Sequence, residues 1–120
     1  MLRLIEQFGV FLRRLLRLKE EKEIVRADEE IAEAMRDLFG VDPRFFPFLT
    51  AESLASALGN AERMDLFARL LAEQAEVAGL RGDPFRAQGA AQRGLELLDR
   101  IGVTGDRTAL AARLRSFLPP

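Results

Sequence analysis

The side chains best suited to chemistry in this chain are carboxylates. Glu30 and Glu33, within the run Glu29-Glu30-x-x-Glu33, are followed after 28 residues by Glu62-x-x-Asp65. Acids three apart on a helix share a face. Four oxygen donors of this kind suit Mg²⁺, which could activate water for attack on a phosphate without any histidine. The same residues also fit two solvated helix faces, because each pair lies opposite the apolar stripe of its own helix. Acids also recur readily by chance in a chain that is 31% charged. Cys, His, Trp and Tyr are all absent, which removes thiol and imidazole nucleophiles, histidine bases, disulfides and the usual zinc sites. No catalytic residue, cofactor or metal is therefore expected outside the carboxylate alternative.

The elements that would position those acids are bounded by length and composition. A chain of 120 residues, 48% hydrophobic with five prolines, fits one compact globular domain spanning 1–120. The net charge of -1 conceals an asymmetry: residues 1–19 carry +4 and residues 20–42 carry -6. A basic surface cancelled by its acidic neighbour argues against nucleic acid as a partner and suits pairing between helices. Glu6, Gln7, Arg13 and Arg14 interrupt any apolar core of a signal peptide, and no stretch approaches a membrane span. A cytoplasmic location is the default expectation.

Helical periodicity runs through the whole chain. Over residues 2–19, Leu4, Phe8, Phe11, Leu12, Leu15, Leu16 and Leu18 fall on one arc with Leu2 and Ile5 at its edge, opposite Arg3, Glu6, Arg13, Arg14 and Arg17. That arc covers about 200°, against about 100° for an ordinary surface helix. It predicts two packing neighbours and apolar surface left for self-association, with Leu12 and Leu16 near one edge. An arginine-lined amphipathic helix could also lie on an anionic membrane, but the acidic run from Glu20 would repel the same surface; a core helix with a solvated arginine face is the expectation.

A second helix, Ile24 to Phe39, buries Ala27, Ile31, Ala34, Met35 and Leu38 and stops at Gly40. Asp42-Pro43-Arg44-Phe45-Phe46-Pro47-Phe48 follows as an aromatic connector. Phe45, Phe46 and Phe48 either plug the gap between two helical hairpins or form an exposed recognition patch. Thr50 caps a short helix ending near Gly59, with Leu49 and Leu54 spaced as a hydrophobic staple. Asn60 caps a helix from Ala61 to about Leu80, whose stripe Glu62, Asp65, Arg69, Glu73 and Glu76 is expected to face water. Asp83-Pro84 opens a helix to about Ile101 with a buried arc of small residues, Ala87, Ala90, Ala91 and Gly94, which would let a partner helix approach closely. Asp106 is expected to cap the last helix, over 106–118.

Ala27, Ile31 and Ala34, and again Gly82, Ala87, Ala91, Gly94 and Leu95, resemble the second helix of the tetratricopeptide repeat, which carries Ala, a large residue four later, and a small residue three after that, with Ala91 smaller than the aromatic usually found there. The two anchors, Ala27 and Ala87, are 60 residues apart, so residues 41–59 are an insertion between hairpins at 2–39 and 61–101. More closely, Arg3-Leu4-Ile5-Glu6-Gln7, Leu38-Phe39-Gly40-Val41-Asp42 and the Leu71-Ala72-Glu73 helix running into Gly82-Asp83 resemble a bacterial domain-of-unknown-function family with tetratricopeptide-like hairpins. That resemblance implies an all-α fold of five to six helices and no activity. The acidic pattern separately resembles the all-α MazG-type nucleotide pyrophosphohydrolases, which implies a Mg²⁺ site at Glu30, Glu33, Glu62 and Asp65. The expected function is a non-enzymatic protein-interaction or structural module that forms a homodimer, its surface drawn from Leu12, Leu16, Phe45, Phe46 and Phe48.

Overall fold

A computed structural model describes residues 3–120; Leu2, expected at the edge of the first apolar arc, lies outside them. The fold is all-α. Among the described residues, α1 (Leu4–Glu20), α2 (Ile24–Phe39), α3 (Ala51–Leu58), α4 (Ala61–Leu80), α5 (Pro84–Ile101) and α6 (Arg107–Arg115) follow one another, with one 3₁₀ turn at Phe46–Phe48 and no strand.

Two helical hairpins, α1–α2 and α4–α5, share one turn geometry. Glu23 N–H donates to the Leu18 carbonyl and Asp83 N–H to the Ala78 carbonyl, both at 2.9 Å. The residue before each donor is left-handed, Gly82 at φ 75° and Lys22 at φ 59°. Glycine adopts that conformation without the Cβ clash that lysine incurs. The 60-residue spacing of Ala27 and Ala87 is therefore the spacing of two like turns, and both alanines are buried.

Local signals set most helix ends. Thr50 accepts from Ser53 N–H at 3.0 Å, Asn60 from Arg63 N–H at 2.9 Å and Asp83 from Arg86 N–H at 3.1 Å, each satisfying a backbone donor that the first turn leaves free. Gly40 closes α2 at φ 70°. Asp106 does not cap α6. Its own backbone is helical, at φ -66° and ψ -16°, so the carboxylate cannot fold back over the first turn, and it pairs instead with Arg69 Nη2 at 3.0 Å. The helix ends at Arg115, and turn bonds from Phe117 and Leu118 carry the chain to Pro119.

The larger departure concerns α4. Eleven of its twenty residues are buried, including Glu73 and Gln74, because α2, α5 and α6 all pack against it, and the one less buried face carries Glu62, Asp65, Arg69 and Glu76. Of the stripe expected to face water, Glu62 is exposed, Asp65, Arg69 and Glu76 are half-buried, and Glu73 is buried. Aromatic rings join α4 to the first hairpin: Phe39 meets Phe67 edge-on at 5.1 Å between centroids and Phe8 at 6.1 Å, separations at which aromatic pairs attract. Arg63 stacks over the Phe39 ring and donates to the carbonyls of Leu58 and Phe39, at 2.8 and 2.9 Å. One guanidinium thereby occupies carbonyl groups at the ends of both α2 and α3.

The small-residue arc of α5 is buried as expected, at Ala87, Ala90, Ala91 and Gly94. A Cβ on Gly94 would lie 3.0 and 3.1 Å from the two terminal carbons of Leu114 in α6, whereas a Cβ on Gly89, on another face of the same helix, would meet nothing within 4 Å. Opposite responses follow. Gly89→Ala should raise stability by about 0.5 to 1 kcal/mol through helix propensity, while Gly94→Leu should lower it by about 1 to 3 kcal/mol through overpacking. Urea denaturation checks both, and equal shifts of the same sign would place the α5–α6 contact elsewhere.

Candidate functional site

The four acids of the metal alternative are not brought together. Glu30 and Glu33 line a groove between α1 and α2 with Arg14 and Phe11, and Glu62 and Asp65 line another between α1 and α4 with Leu12 and Leu66. Glu30 pairs with Arg14 at 3.4 Å. Asp65 is held by Arg69 Nε and Arg107 Nε, each at 2.6 Å. Burial alone would raise its pKa, but the two guanidiniums outweigh it and hold the carboxyl below its ordinary value. A carboxylate already engaged by two arginines has little capacity left for a cation. Among the described residues, no group of three or more acids is placed to hold a metal ion.

The most heavily buried charge is Glu73, at 9% exposure. Its Oε1 accepts from Lys19 Nζ of α1 at 2.7 Å and its Oε2 from Arg113 Nη1 of α6 at 2.7 Å. The same two cations reach Glu76 at 2.6 and 3.4 Å. Burial opposes charge on Glu73, yet hydrogen bonds from Arg113 and Lys19 lower its pKa overall. Burial likewise opposes charge on Lys19, and its two carboxylate partners raise its pKa despite that. Two acids and two bases thus clamp α1 and α6 to α4, and every charge in the group has an opposite partner. This arrangement suits cohesion, and it offers no unpaired group to a substrate.

Of the residues expected at an interface, Leu16 is 54% exposed and Leu12 half-buried. Leu12 lies in a groove of about 550 Å³ with Ile5, Phe8 and Gly9 of α1 and Leu66 of α4. The connector phenylalanines divide between the two expected roles. Phe46 is buried and stands 6.0 Å from the Phe67 ring, whereas Phe45 is 59% and Phe48 83% exposed. Asp42 organises this segment: its carboxylate accepts from the backbone and the guanidinium of Arg44, which lowers its pKa to about 2, and Arg44 covers the Phe45 ring at 5.6 Å.

A second recess, of about 240 Å³, opens beside the connector. Pro43, Phe46 and Pro47 form one wall, and Phe85, Arg86, Gly89, Ala90 and Arg93 of α5 the other. Gln74 of α4 lines it too. Its side-chain oxygen is buried without a hydrogen-bond partner, and the residue is 7% exposed. Phe85 at the rim is 87% exposed. Sequence reasoning missed this recess, although Phe85 carried a legible signal as a large apolar residue outside the buried arc of its helix. Gln74 carried none, since its surroundings come from α2, the connector and α5.

No family model matches the chain, and no curated protein and no solved structure matches it. Among the described residues, no helix is long and apolar enough to cross a membrane.

The Glu73 clamp has a signed pH dependence. A carboxyl whose pKa is lowered on folding adds stability above its unfolded value, about 4.3, and loses it as pH falls through the folded value; a lysine with a raised pKa loses its share only above about 10.4. Glu73→Gln should therefore cost about 2 kcal/mol at pH 7 and less at pH 3, where the carboxyl is ionised in the folded state to a smaller extent. Urea midpoints at the two pH values test this, and an equal loss at both would mean that packing, rather than charge, holds the site.

Proposed function

We propose that the protein is a non-enzymatic interaction module that pairs with a second copy through α1 and presents the connector and the start of α5 to another polypeptide. The observation behind this proposal is the distribution of exposed apolar side chains. Ile5 and Leu16 lie exposed on α1, and Phe45, Phe48 and Phe85 on the connector and the start of α5. Isolated exposed apolar residues are ordinary, whereas their accumulation next to grooves marks interaction surfaces. On α1, Ile5, Gly9, Leu12 and Leu16 follow the spacing of a single helix edge, and a Cβ on Gly9 would meet only the end of the Arg13 side chain, at 3.8 Å. A second α1 can approach such an edge closely, and two-fold pairing is the commonest closed arrangement of identical chains.

The alternative of a Mg²⁺-dependent nucleotide pyrophosphohydrolase draws no support from the separated placement of Glu30, Glu33, Glu62 and Asp65 or from the engagement of Asp65 by Arg69 and Arg107. Membership of the hairpin-containing family of unknown function, and a cytoplasmic location, are kept as parts of the same proposal.

Size exclusion with light scattering should give the mass of two chains. Replacing Leu12 and Leu16 together with Glu should reduce it to one chain with the helical circular dichroism unchanged. A one-chain mass for the native protein across a wide concentration range would overturn self-association.

A further inference from the structure

We propose that the second copy lays its α1 antiparallel on this α1, with Ile5 opposite the partner's Leu16, Gly9 opposite the partner's Leu12 and Glu6 paired with the partner's Arg13. The proposal rests on the self-association reading and names the orientation and register of the partner helix. Spacing, room and charge on α1 point the same way. Ile5, Gly9, Leu12 and Leu16 are separated by four, three and four residues, the alternation of a coiled-coil seam. Phe8, Phe11, Leu15 and Leu18 are buried in the protein's own core, so this seam is a separate one on the same helix. It faces outward, with Ile5 and Leu16 exposed and Gly9 and Leu12 half-buried.

Laid antiparallel, the seam closes on itself as four layers, Ile5 against Leu16 at the two ends and Gly9 against Leu12 in the middle. The glycine leaves room for the facing leucine, because no part of the protein other than the end of the Arg13 side chain lies within 4 Å of where its Cβ would stand. Small against large is the complementarity that close packing needs. A shift of one heptad in either direction would leave half of the seam without its counterpart.

Charge fixes the orientation. Glu6 and Arg13 each follow a seam residue, Ile5 and Leu12, and therefore stand on one flank of the seam, both exposed. The Arg13 guanidinium reaches over the seam itself, its Nη1 3.8 Å from the Cβ position of Gly9. In an antiparallel pair like flanks meet, so Glu6 falls between the same two layers as the partner's Arg13, and the two-fold axis repeats the contact. A parallel pair would set this flank against the other one, at Phe8 and Leu15, which are buried. Opposite charges at flanking positions select the orientation that joins them. Glu6 also accepts from Arg3 at 3.1 Å, but that pair is exposed and uses Oε1 alone, and exposed pairs of this kind contribute little.

Two measurements on the full chain test this arrangement. In sedimentation equilibrium, Glu6→Arg and Arg13→Glu should each weaken the dimer about tenfold, since each turns two attractive contacts into repulsive ones, and the gap from the native protein should narrow as salt is raised. The double variant restores opposite charges across the seam and should return the affinity to within about threefold of native. The chain has no cysteine, so introduced thiols report the register directly. An equimolar mixture of the Gly9→Cys and Leu12→Cys proteins, one of them tagged, should give mainly the mixed disulfide on mild oxidation, because positions 9 and 12 face each other whereas like positions are offset along the axis beyond easy disulfide reach. Single reversals without effect, a double variant as weak as the two losses combined, or mainly like-with-like disulfides, each with a two-chain native mass, would overturn the antiparallel register alone. A one-chain native mass would overturn self-association and this arrangement with it.

Discussion

A helix enclosed over most of its circumference leaves little of its polar surface to water, and α4 is such a helix. Glu73, Asp65 and Gln74 all lie on it, and each is withdrawn from solvent to a degree that demands a partner. The consequences reach most of the molecule. Glu73 draws Lys19 from α1 and Arg113 from α6; Asp65 draws Arg107 from the first turn of α6 and Arg69 from its own helix. The arginine-rich composition thus has a structural use, since guanidiniums can satisfy several carboxylate lone pairs at once.

The apolar surface obeys a different constraint. The small residues of α5 allow α4 and α6 to come close, so little of that arc is left over. The broader arc of α1 has no comparable enclosure. Phe8, Phe11, Leu15 and Leu18 are buried, while Ile5 and Leu16 remain open to solvent and Leu12 borders a groove. The connector repeats the pattern on a smaller scale, with Phe46 inserted against Phe67 and its aromatic neighbours turned outward. A bundle of this size has too few helices to cover every apolar face it presents, and the uncovered remainder is where association concentrates.

What the sequence by itself determined is local. The extents of α2, α4 and α5, the caps Thr50, Asn60 and Asp83, the stop at Gly40 and the small-residue face of α5 were all legible, because each depends on hydrogen bonds or side-chain spacings within about four residues. Tertiary structure decided what depends on neighbours remote in the chain. Lys19 and Glu73 are 54 residues apart and Arg69 and Asp106 are 37 apart, so neither the burial of Glu73 within the α4 stripe nor the diversion of Asp106 from its capping role could be read from the residues around them. The division among Phe45, Phe46 and Phe48 followed from the single position facing Phe67. Gln74 shows the limit most plainly: periodicity marks it as one polar residue in a helix, and only the packing of other elements around that helix makes it a buried acceptor without a donor.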